Sequence, residues 1–443
     1  MVHANELTAT EALGLMRAGR LSVEEMAQAC LARIRERDPV VRGWVHLDPD
    51  LVLRNARELD KREVKDPLHG VPIAVKDVIM TADMPTQHNS PLYKGSFPTI
   101  DAGCVKTLRA AGALIFGKTD TTEFAAVTRG GAARHPRDPS RTPGGSSSGS
   151  AAVVGDNQAT IGLGTQTAGS TIRPGSYCGV YAMKPTWGAI NREGLKMLSL
   201  SLDTLGLFAR SAEDLDLLAD VFALEDRRPV KPFTLRGARI AACRSPAWDK
   251  TEPATRDAFE RGISLLREAG AEVAPLDLPP AFSSLPDCHA TVMAGEAQVS
   301  FLSEIRAQPE LLNADLTDMA KNGKGVTKGA LVAAYDAAAQ CRMDFDEIAG
   351  GLDAVLTPSA RGEAPVGTVT GDAAVNAMWT LLHVPVIQIP GFKGPSGLPV
   401  GLSLTSPRYT DRRLLRVAKE IGALFGALGA TVGCSGNGQP RAF

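Results

Sequence analysis

Residues 142–174 read TPGGSSSGSAAVVGDNQATIGLGTQTAGSTIRP, in which two clusters of small residues are joined by an apolar segment. Each cluster combines serine hydroxyls with glycines, which allow a backbone N–H group to approach a ligand closely. A Gly/Ser linker would stay polar and repetitive, whereas residues 151–154 and 159–163 are apolar runs. We therefore interpret the stretch as a folded segment that offers candidate nucleophiles and N–H groups able to bind an oxyanion.

The composition is that of an ordinary folded protein. The 443 residues are 44% apolar, and 48 Lys plus Arg against 49 Asp plus Glu give a formal net charge of −1. Because positive and negative charges nearly balance, we expect no direct nucleic-acid binding and no attraction to an anionic membrane. The N-terminus lacks a basic region followed by an apolar one, and no segment has the length of a membrane span. We therefore expect a cytoplasmic protein without membrane contact.

The cysteines predict neither a metal site nor a disulfide framework. The chain has seven, scattered without a CxxC pair or a Cys/His cluster. We expect reduced thiols and no bound metal. Cys178 lies near the serine clusters but has no histidine close to it in sequence, so we interpret it as a buried structural thiol.

Helix and strand patterns alternate along the chain. Ser22 and Glu25 have the spacing of a capping box, so the first forty residues are predicted to be largely helical. Strands are predicted at residues 71–75, 113–116, 239–243, 272–275, 352–356, 384–389 and 400–404, and helices at 105–111, 212–224 and 256–269. The alternation predicts an α/β sheet.

No internal repeat or convincing linker divides the chain, which predicts one domain over residues 1–432. Its core motifs lie at 68–215, and residues 350–405 are expected to complete the same sheet. Residues 433–443 are polar and rich in turn formers, so we expect a flexible tail. Residues 279–328 read as irregular and are expected to contribute walls of a binding pocket.

Two kinds of serine chemistry are candidates for these clusters, one with a histidine base and one with a lysine base. Ser147 lies in a G-x-S-x-G sequence, but a charged, proline-rich loop precedes it, where a nucleophile elbow needs a buried strand. A Ser-His-Asp enzyme would also need a downstream histidine, and only His289 and His383 are available. A lysine kept neutral by burial is the alternative base. Lys76 follows the apolar VPIAV and is the first candidate, although many strand-end lysines only extend along the surface.

The motifs resemble those of the amidase signature family, whose Ser-Ser-Lys hydrolases cleave amides through an acyl-enzyme. LHGVPIAVKDVI (68–79) resembles its lysine-bearing strand, TPGGSSSGSAA (142–152) its Gly/Ser signature and GTQTAGSTIRP (164–174) its nucleophile loop. The resemblance covers nearly the whole chain, because further motifs also occur in the family's order: GKTDTTEF, LDTLGLFARSAEDL, DAVLTP, HVPVIQIP and GLPVGLSL. It implies a large mixed, mostly parallel, twisted sheet covered by helices on both faces.

The resemblance also assigns roles by position. Lys76 matches the base, Ser146 the bridging serine, which follows a cis peptide bond in the family, and Ser170 the nucleophile. It implies no metal and no organic cofactor. The implied site is completed by oxyanion donors at the backbone N–H groups of Thr167, Ala168, Gly169 and Ser170, by Ser147 as a support for Lys76 and Ser146, and by Gly145 and Arg173 as substrate-binding residues.

This sequence departs from the family pattern near the nucleophile. Gln166 stands where many members have Asp, and Ala168 and Ser148 stand where many have Gly. Arg173 comes three residues after Ser170, and the form Ser-x-x-Arg-Pro resembles the branch that acts on small carboxylate-bearing amides such as malonamate. The implied partner is therefore a small-molecule amide whose carboxylate Arg173 holds. The alternative is that Arg173 pairs with an acidic side chain and only braces its loop.

Other functions stay open. The family includes the glutamine-hydrolysing subunit of a tRNA-dependent amidotransferase, which works in a complex and which Gln166 and Arg173 disfavour. A hydrolase of ureido or biuret-type acids would also pair a carboxylate with a nearby C–N bond. A non-catalytic scaffold is disfavoured because Lys76, Ser146 and Ser170 are all retained. A homodimer is one expected assembly.

Overall fold

The computed structural model describes residues 3–63 and 65–431, with side chains described up to residue 427. The predicted tail at 433–443 lies outside the described residues. None of the helices in this part of the chain combines the length and the apolar character that a membrane span requires.

Eleven strands of the described chain form one sheet. In chain order they are β1 (Trp44–Leu47), β2 (Pro72–Lys76), β3 (Leu114–Thr119), β4 (Ile161–Gln166), β5 (Tyr181–Lys184), β6 (Thr204–Ala209), β7 (Arg239–Ala242), β8 (Glu272–Pro275), β9 (Ala354–Pro358), β10 (Val386–Lys393) and β11 (Pro399–Thr405). Across the sheet their order is β1-β3-β2-β4-β6-β5-β10-β11-β9-β7-β8.

The sheet is mixed, as predicted, but with fewer parallel pairs than expected. Parallel pairing is confined to the runs β3-β2-β4 and β9-β7-β8. Antiparallel pairing joins the strands in the middle of the sheet, from β4 through β6, β5, β10 and β11 to β9. It also joins β1 to β3. One physical reason is the short connection at residues 394–398, because β10 and β11 are then too close in sequence for the crossover that a parallel pair needs.

Fourteen α-helices accompany these strands in the described residues. They are α1 (Ala9–Arg17), α2 (Val23–Val41), α3 (Pro49–Asp60), α4 (Gly103–Ala110), α5 (Ser148–Gly155), α6 (Ile172–Cys178), α7 (Ala212–Val221), α8 (Pro253–Glu268), α9 (Leu285–Ser300), α10 (Leu302–Ala307), α11 (Ala314–Ala320), α12 (Lys328–Ile348), α13 (Ala374–Leu381) and α14 (Asp411–Thr431). The predicted capping box is confirmed at the start of α2, where Ser22 accepts from the Glu25 N–H and the Glu25 side chain accepts in return.

Helices pack on both faces of the sheet, and strand β2 shows how. Ile73 and Val75 lie in one apolar cluster with Leu215 of α7. Ala74, which points to the opposite face, lies in another cluster with Val153 of α5. Because successive side chains of a strand alternate between faces, this run is apolar on both sides. The predicted placement of helices on both faces is confirmed.

The prediction of an irregular segment at 279–328 was wrong. This part of the chain contains helices α9, α10 and α11. The buried face of α9 includes the small residues Ala294, Gly295 and Ala297, so no strong apolar stripe marks the helix in the sequence. Helix α9 packs against α12 and α13, and it is this packing that stabilises it.

Candidate active site

A fully buried lysine lies at the end of β2. The Nζ atom of Lys76 lies 2.7 Å from Ser146 Oγ, 3.0 Å from Ser147 Oγ and 2.7 Å from Thr165 Oγ1. Burial lowers the pKa of Lys76 well below its usual range, and the negative charge of Asp203 only partly opposes this shift. Burial therefore favours the neutral form of this amine, which lies among hydroxyl groups.

The bond directions around this amine follow from the available protons. The Ser147 hydroxyl lies 3.1 Å from the Thr165 carbonyl, which can only accept, so the Ser147 proton points there. Ser147 Oγ then accepts one N–H of Lys76. In its neutral form the amine has a second N–H and a lone pair for the hydroxyls of Ser146 and Thr165, which both lie 2.7 Å from Nζ. Ser146 therefore lies within proton-transfer distance of Lys76.

Three elements bring these groups together. Strands β2 and β4 are parallel neighbours, with Val75 beside Leu163, so Lys76 and Thr165 meet at the carboxyl ends of their strands. Ser146 follows a cis peptide bond from Gly145, and the next residue, Ser147, is the N-cap of α5. The serine cluster, which is far from β2 in sequence, is held against the strand ends by the packing of α5 on β2 and β4.

Residues 167–171, the β4–α6 loop, carry Ser170. Gln166 anchors this loop, because its Oε1 accepts from the N–H groups of Thr171 at 2.9 Å and Ile172 at 3.0 Å. These are among the N–H groups that the first turn of α6 would otherwise leave unsatisfied. Within the described residues, no acceptor binds the N–H groups of Ala168, Gly169 and Ser170, which leaves them available to a ligand oxygen.

Ser170 is half-buried and faces a cavity of about 560 Å³ that Ser146 also lines. The cavity mouth carries an ion pair between Arg361 and Asp372, 3.1 Å apart. The side chains of Ser146 and Ser170 make no hydrogen bond to each other in the described structure. Further lining residues are Thr167, Ala168, the apolar Val127, Leu198, Met293 and Val369, and the charged Arg173 and Glu252. Since Met293 belongs to α9, part of the 279–328 segment does contribute to the wall, as expected.

Arg173 is the deeply placed cation of this cavity, with only 4% of its surface exposed. Its Nε donates to the Thr370 carbonyl at 2.7 Å and its Nη2 to the Gly145 carbonyl at 2.6 Å. No carboxylate of the described chain pairs with it, and its Nη1 has no hydrogen-bond partner there. A Cβ atom placed on Gly169 would lie 2.5 Å from Asn376 Oδ1 and 3.0 Å from Nη1, so a glycine there allows this close approach. Among the described residues Arg173 has no acidic partner, and its bond to the Gly145 carbonyl braces the segment that leads to Ser146.

Gly145 and Cys178, the remaining candidates from the sequence, lie near this centre. Gly145 does not line the cavity and contributes its carbonyl oxygen to Arg173. Cys178 is buried, its Sγ donates to the Pro143 carbonyl at 3.4 Å, and burial raises the pKa of its thiol. The cysteines within the described part of the chain are free.

The two downstream histidines do not contact a serine hydroxyl in the described structure. The Nε2 atom of His289 binds the Thr167 carbonyl at 2.8 Å, and that of His383 binds the Ser201 carbonyl at 2.7 Å. Ser147, the residue of the G-x-S-x-G pattern, is fully buried against Lys76. This geometry does not fit a Ser-His-Asp arrangement.

Sequence reasoning missed several polar neighbours of the site. Thr165 adjoins Lys76, and Asp203 accepts from the hydroxyl of Thr167 and from the N–H of Leu198 at 2.6 Å. Burial raises the pKa of Asp203 to about 6. Both residues lie in quoted motifs, which was the available signal. Thr380, which binds the Ala168 carbonyl, had no such signal as a site residue.

Comparison with known proteins agrees with the geometry. Residues 25–415 match the family model named Amidase. A glutamyl-tRNA(Gln) amidotransferase subunit of Chloroflexus aggregans is 33% identical over 473 residues, covering 94% of this chain and 96% of that protein. The structure of peptide amidase from Stenotrophomonas maltophilia has a TM-score of 0.79 at 28% identity, covering 94% of this chain and 96% of that one.

A crystal structure of an amidase superposes with a TM-score of 0.85 at 27% identity, covering 94% of this chain and 99% of that one. The match of the family model extends over most of the chain and includes the lysine and serine motifs. The chain is an enzyme that hydrolyses amide C–N bonds, and it belongs to the amidase signature family.

Proposed function

We propose that this enzyme hydrolyses a small amide that carries a carboxylate, through an acyl-Ser170 intermediate. The observation that carries this proposal is Arg173, a buried guanidinium that lines the cavity with an unpartnered Nη1 and without a counter-ion in the described chain. A buried cation without a partner is costly, and a substrate carboxylate would supply a charge-assisted hydrogen bond there.

The position of Arg173 also argues for a small substrate. Its Nη1 lies 3.0 Å from the place where Gly169 would carry a Cβ, directly beside the β4–α6 loop. A carboxylate bound at Nη1 would therefore lie close to an amide carbonyl bound at the loop, which favours a short substrate. Malonamate, with one carbon atom between its two carbonyl groups, is such a substrate.

The proton relay begins at Lys76. Its neutral amine accepts the proton of Ser146 while Ser146 Oγ accepts the proton of Ser170, and Ser170 Oγ attacks the amide carbon. The 2.7 Å contact between Lys76 Nζ and Ser146 Oγ supports the first transfer. Since the side chains of Ser146 and Ser170 make no hydrogen bond in the described structure, the second transfer requires a change in the side-chain torsion of one of these serines once substrate is bound.

The carbonyl oxygen becomes negative as the tetrahedral intermediate forms. The free N–H groups of Ala168 and Gly169 are the proposed donors to it, each worth about 3 kcal/mol of transition-state energy in comparable sites. When the C–N bond breaks, the relay runs in reverse and the proton goes to the departing nitrogen. Water then gives its proton to the same relay and attacks the acyl carbon, which releases the acid and restores Ser170.

A second candidate is a glutamine-hydrolysing subunit of an amidotransferase. The 33% identity to an amidotransferase subunit over 94% of this chain favours it. Glutamine bears a carboxylate that Arg173 would equally accept, but it also carries an ammonium group. This function would further require partner subunits.

Ammonia release from a panel of amides tests the proposal. Malonamate and isovaleramide are similar in size, with a carboxylate in one and an isopropyl group in the other, and glutamine represents the second candidate. We expect kcat/KM to be highest for malonamate and Ser170→Ala to hydrolyse none of the three. Equal values for malonamate and isovaleramide would contradict the carboxylate assignment, and a preference for glutamine together with co-purifying subunits would favour the second candidate.

A further inference from the structure

Two buried side chains bind carbonyl groups of the β4–α6 loop from separate helices. His289 of α9 places Nε2 2.8 Å from the Thr167 carbonyl, and Thr380 of α13 places Oγ1 2.8 Å from the Ala168 carbonyl. A carbonyl oxygen only accepts, so His289 carries its proton on Nε2 and Thr380 donates its hydroxyl proton. Their exposed fractions are 4% and 0%, and α9 and α13 pack against each other.

These carbonyls belong to the peptide groups whose N–H groups are free. The Thr167 carbonyl shares a planar peptide with the N–H of Ala168, and the Ala168 carbonyl shares one with the N–H of Gly169. In a trans peptide the N–H points away from the carbonyl, so a bond that holds one end also sets the direction of the other. A hydrogen bond to the carbonyl also polarises the peptide and strengthens its N–H as a donor.

Gln166 determines which way the Thr380 hydroxyl points. Its Oε1 is occupied by two backbone N–H groups of the α6 start, which leaves its Nε2 to donate to Thr380 Oγ1 at 3.0 Å. The Thr380 proton is then directed to the Ala168 carbonyl at 2.8 Å, ahead of the Asn376 carbonyl at 3.5 Å. A carboxylate at position 166 would instead accept the Thr380 proton and draw it away from the loop.

The nearest charged groups do not replace these anchors. Asp203 binds the hydroxyl of Thr167, and Arg173 binds the carbonyls of Thr370 and Gly145. In the described structure, the Thr167 and Ala168 carbonyls receive their side-chain bonds from His289 and Thr380. Removal of either side chain therefore frees one peptide of the loop to rotate.

We propose that His289 and Thr380 are positioning residues that hold the 167–168 and 168–169 peptides with their N–H groups directed at the oxyanion. The inference rests on the proposed role of these N–H groups as oxyanion donors. Neither side chain is proposed to touch the substrate. Because the oxyanion exists only in and near the transition state, their loss lowers kcat and leaves KM nearly unchanged.

Paired variants test the inference. Thr380→Val keeps the shape and removes the hydroxyl, and we expect kcat to fall roughly 10- to 100-fold with KM within about twofold, less than the about 10²–10³-fold cost of deleting a donor outright. Thr380→Ser retains the hydroxyl and is expected to restore most of the rate. His289→Leu and His289→Gln form the equivalent pair, since glutamine keeps an N–H donor. Gln166→Glu, which redirects the Thr380 proton, is expected to behave like Thr380→Val.

Thr405→Val is the matched control. Thr405 is also fully buried and also donates its hydroxyl to a carbonyl, that of Pro385 at 2.8 Å, outside the loop. We expect Thr405→Val to leave kcat unchanged. A boronic acid that forms a tetrahedral adduct provides a second measurement, and its affinity for Thr380→Val should fall in parallel with kcat. The comparison uses whichever amide the unmodified enzyme hydrolyses, so it does not depend on the carboxylate assignment. A wrong nucleophile would show separately, as activity retained in Ser170→Ala.

The inference is overturned by an unchanged kcat in Thr380→Val, by a rise in KM alone, or by an equal loss in Thr380→Ser or Thr405→Val. Thermal unfolding followed by circular dichroism shows whether each variant is folded at the assay temperature. If His289→Leu does not fold, the Thr380 pair decides the question.

Discussion

Arg173→Met separates substrate binding from loop support. The change removes the guanidinium, and with it a charge-assisted bond to a substrate carboxylate worth about 1.5–3 kcal/mol, so kcat/KM for malonamate should fall roughly 10- to 200-fold. The Thr370 and Gly145 carbonyls also lose their donors. Each buried carbonyl left unpaired costs about 1–3 kcal/mol of stability, so the melting temperature should fall as well.

The ratio of kcat/KM between malonamate and isovaleramide isolates the charge effect, because a distorted loop would slow both substrates. Ammonia release measured under identical conditions gives this ratio. Arg361→Met is the control: Arg361 lines the same cavity, but its side chain is 37% exposed and already paired with Asp372. An ion pair at such a place contributes at most about 1 kcal/mol, so the ratio should change by less than roughly fivefold. If Arg173→Met slows both substrates by the same factor, Arg173 is structural and the carboxylate assignment is refuted.

Three further outcomes concern the relay. Ser170→Ala should abolish amide hydrolysis while the circular dichroism spectrum stays unchanged. In the unmodified enzyme, mass spectrometry with a slow substrate should show a hydroxylamine-sensitive adduct on Ser170. An adduct on Ser147 would contradict the assignment. Lys76→Ala should lower kcat by about 10²–10⁴-fold, because both proton transfers pass through the amine. Lys76→Arg should also lose activity, since a guanidinium stays protonated. Retention of most turnover in either variant would argue against the relay. Because only neutral Lys76 accepts a proton, kcat/KM should fall as the pH drops through the pKa of Lys76. Asp203→Asn removes the negative charge that raises this pKa, so the fall in kcat/KM should move to lower pH. A move to higher pH would contradict the coupling.

Local patterns in the sequence were sufficient to predict several of the helices and strands and to name Lys76 and the serine clusters as candidates. The short apolar run that ends at Lys76 predicted β2, and the capping box predicted the start of α2. The two serine clusters and the lysine strand pointed to one family because their motifs are contiguous. Such features depend on periodicity and turn chemistry within about ten residues, which a linear pattern records.

The tertiary structure alone decided what surrounds those residues. The bonds of Lys76 to Thr165, of His289 to Thr167 and of Thr380 to Ala168 join positions 89 to 212 residues apart. The unpaired Nη1 of Arg173 likewise became visible only in the folded chain. Helix α9 was missed because its small buried side chains become a packing face only against α12 and α13. The sequence by itself determined which reactive groups the chain carries. Folding decided which of them are desolvated, paired or left free, because burial and hydrogen bonding depend on partners that are distant along the chain.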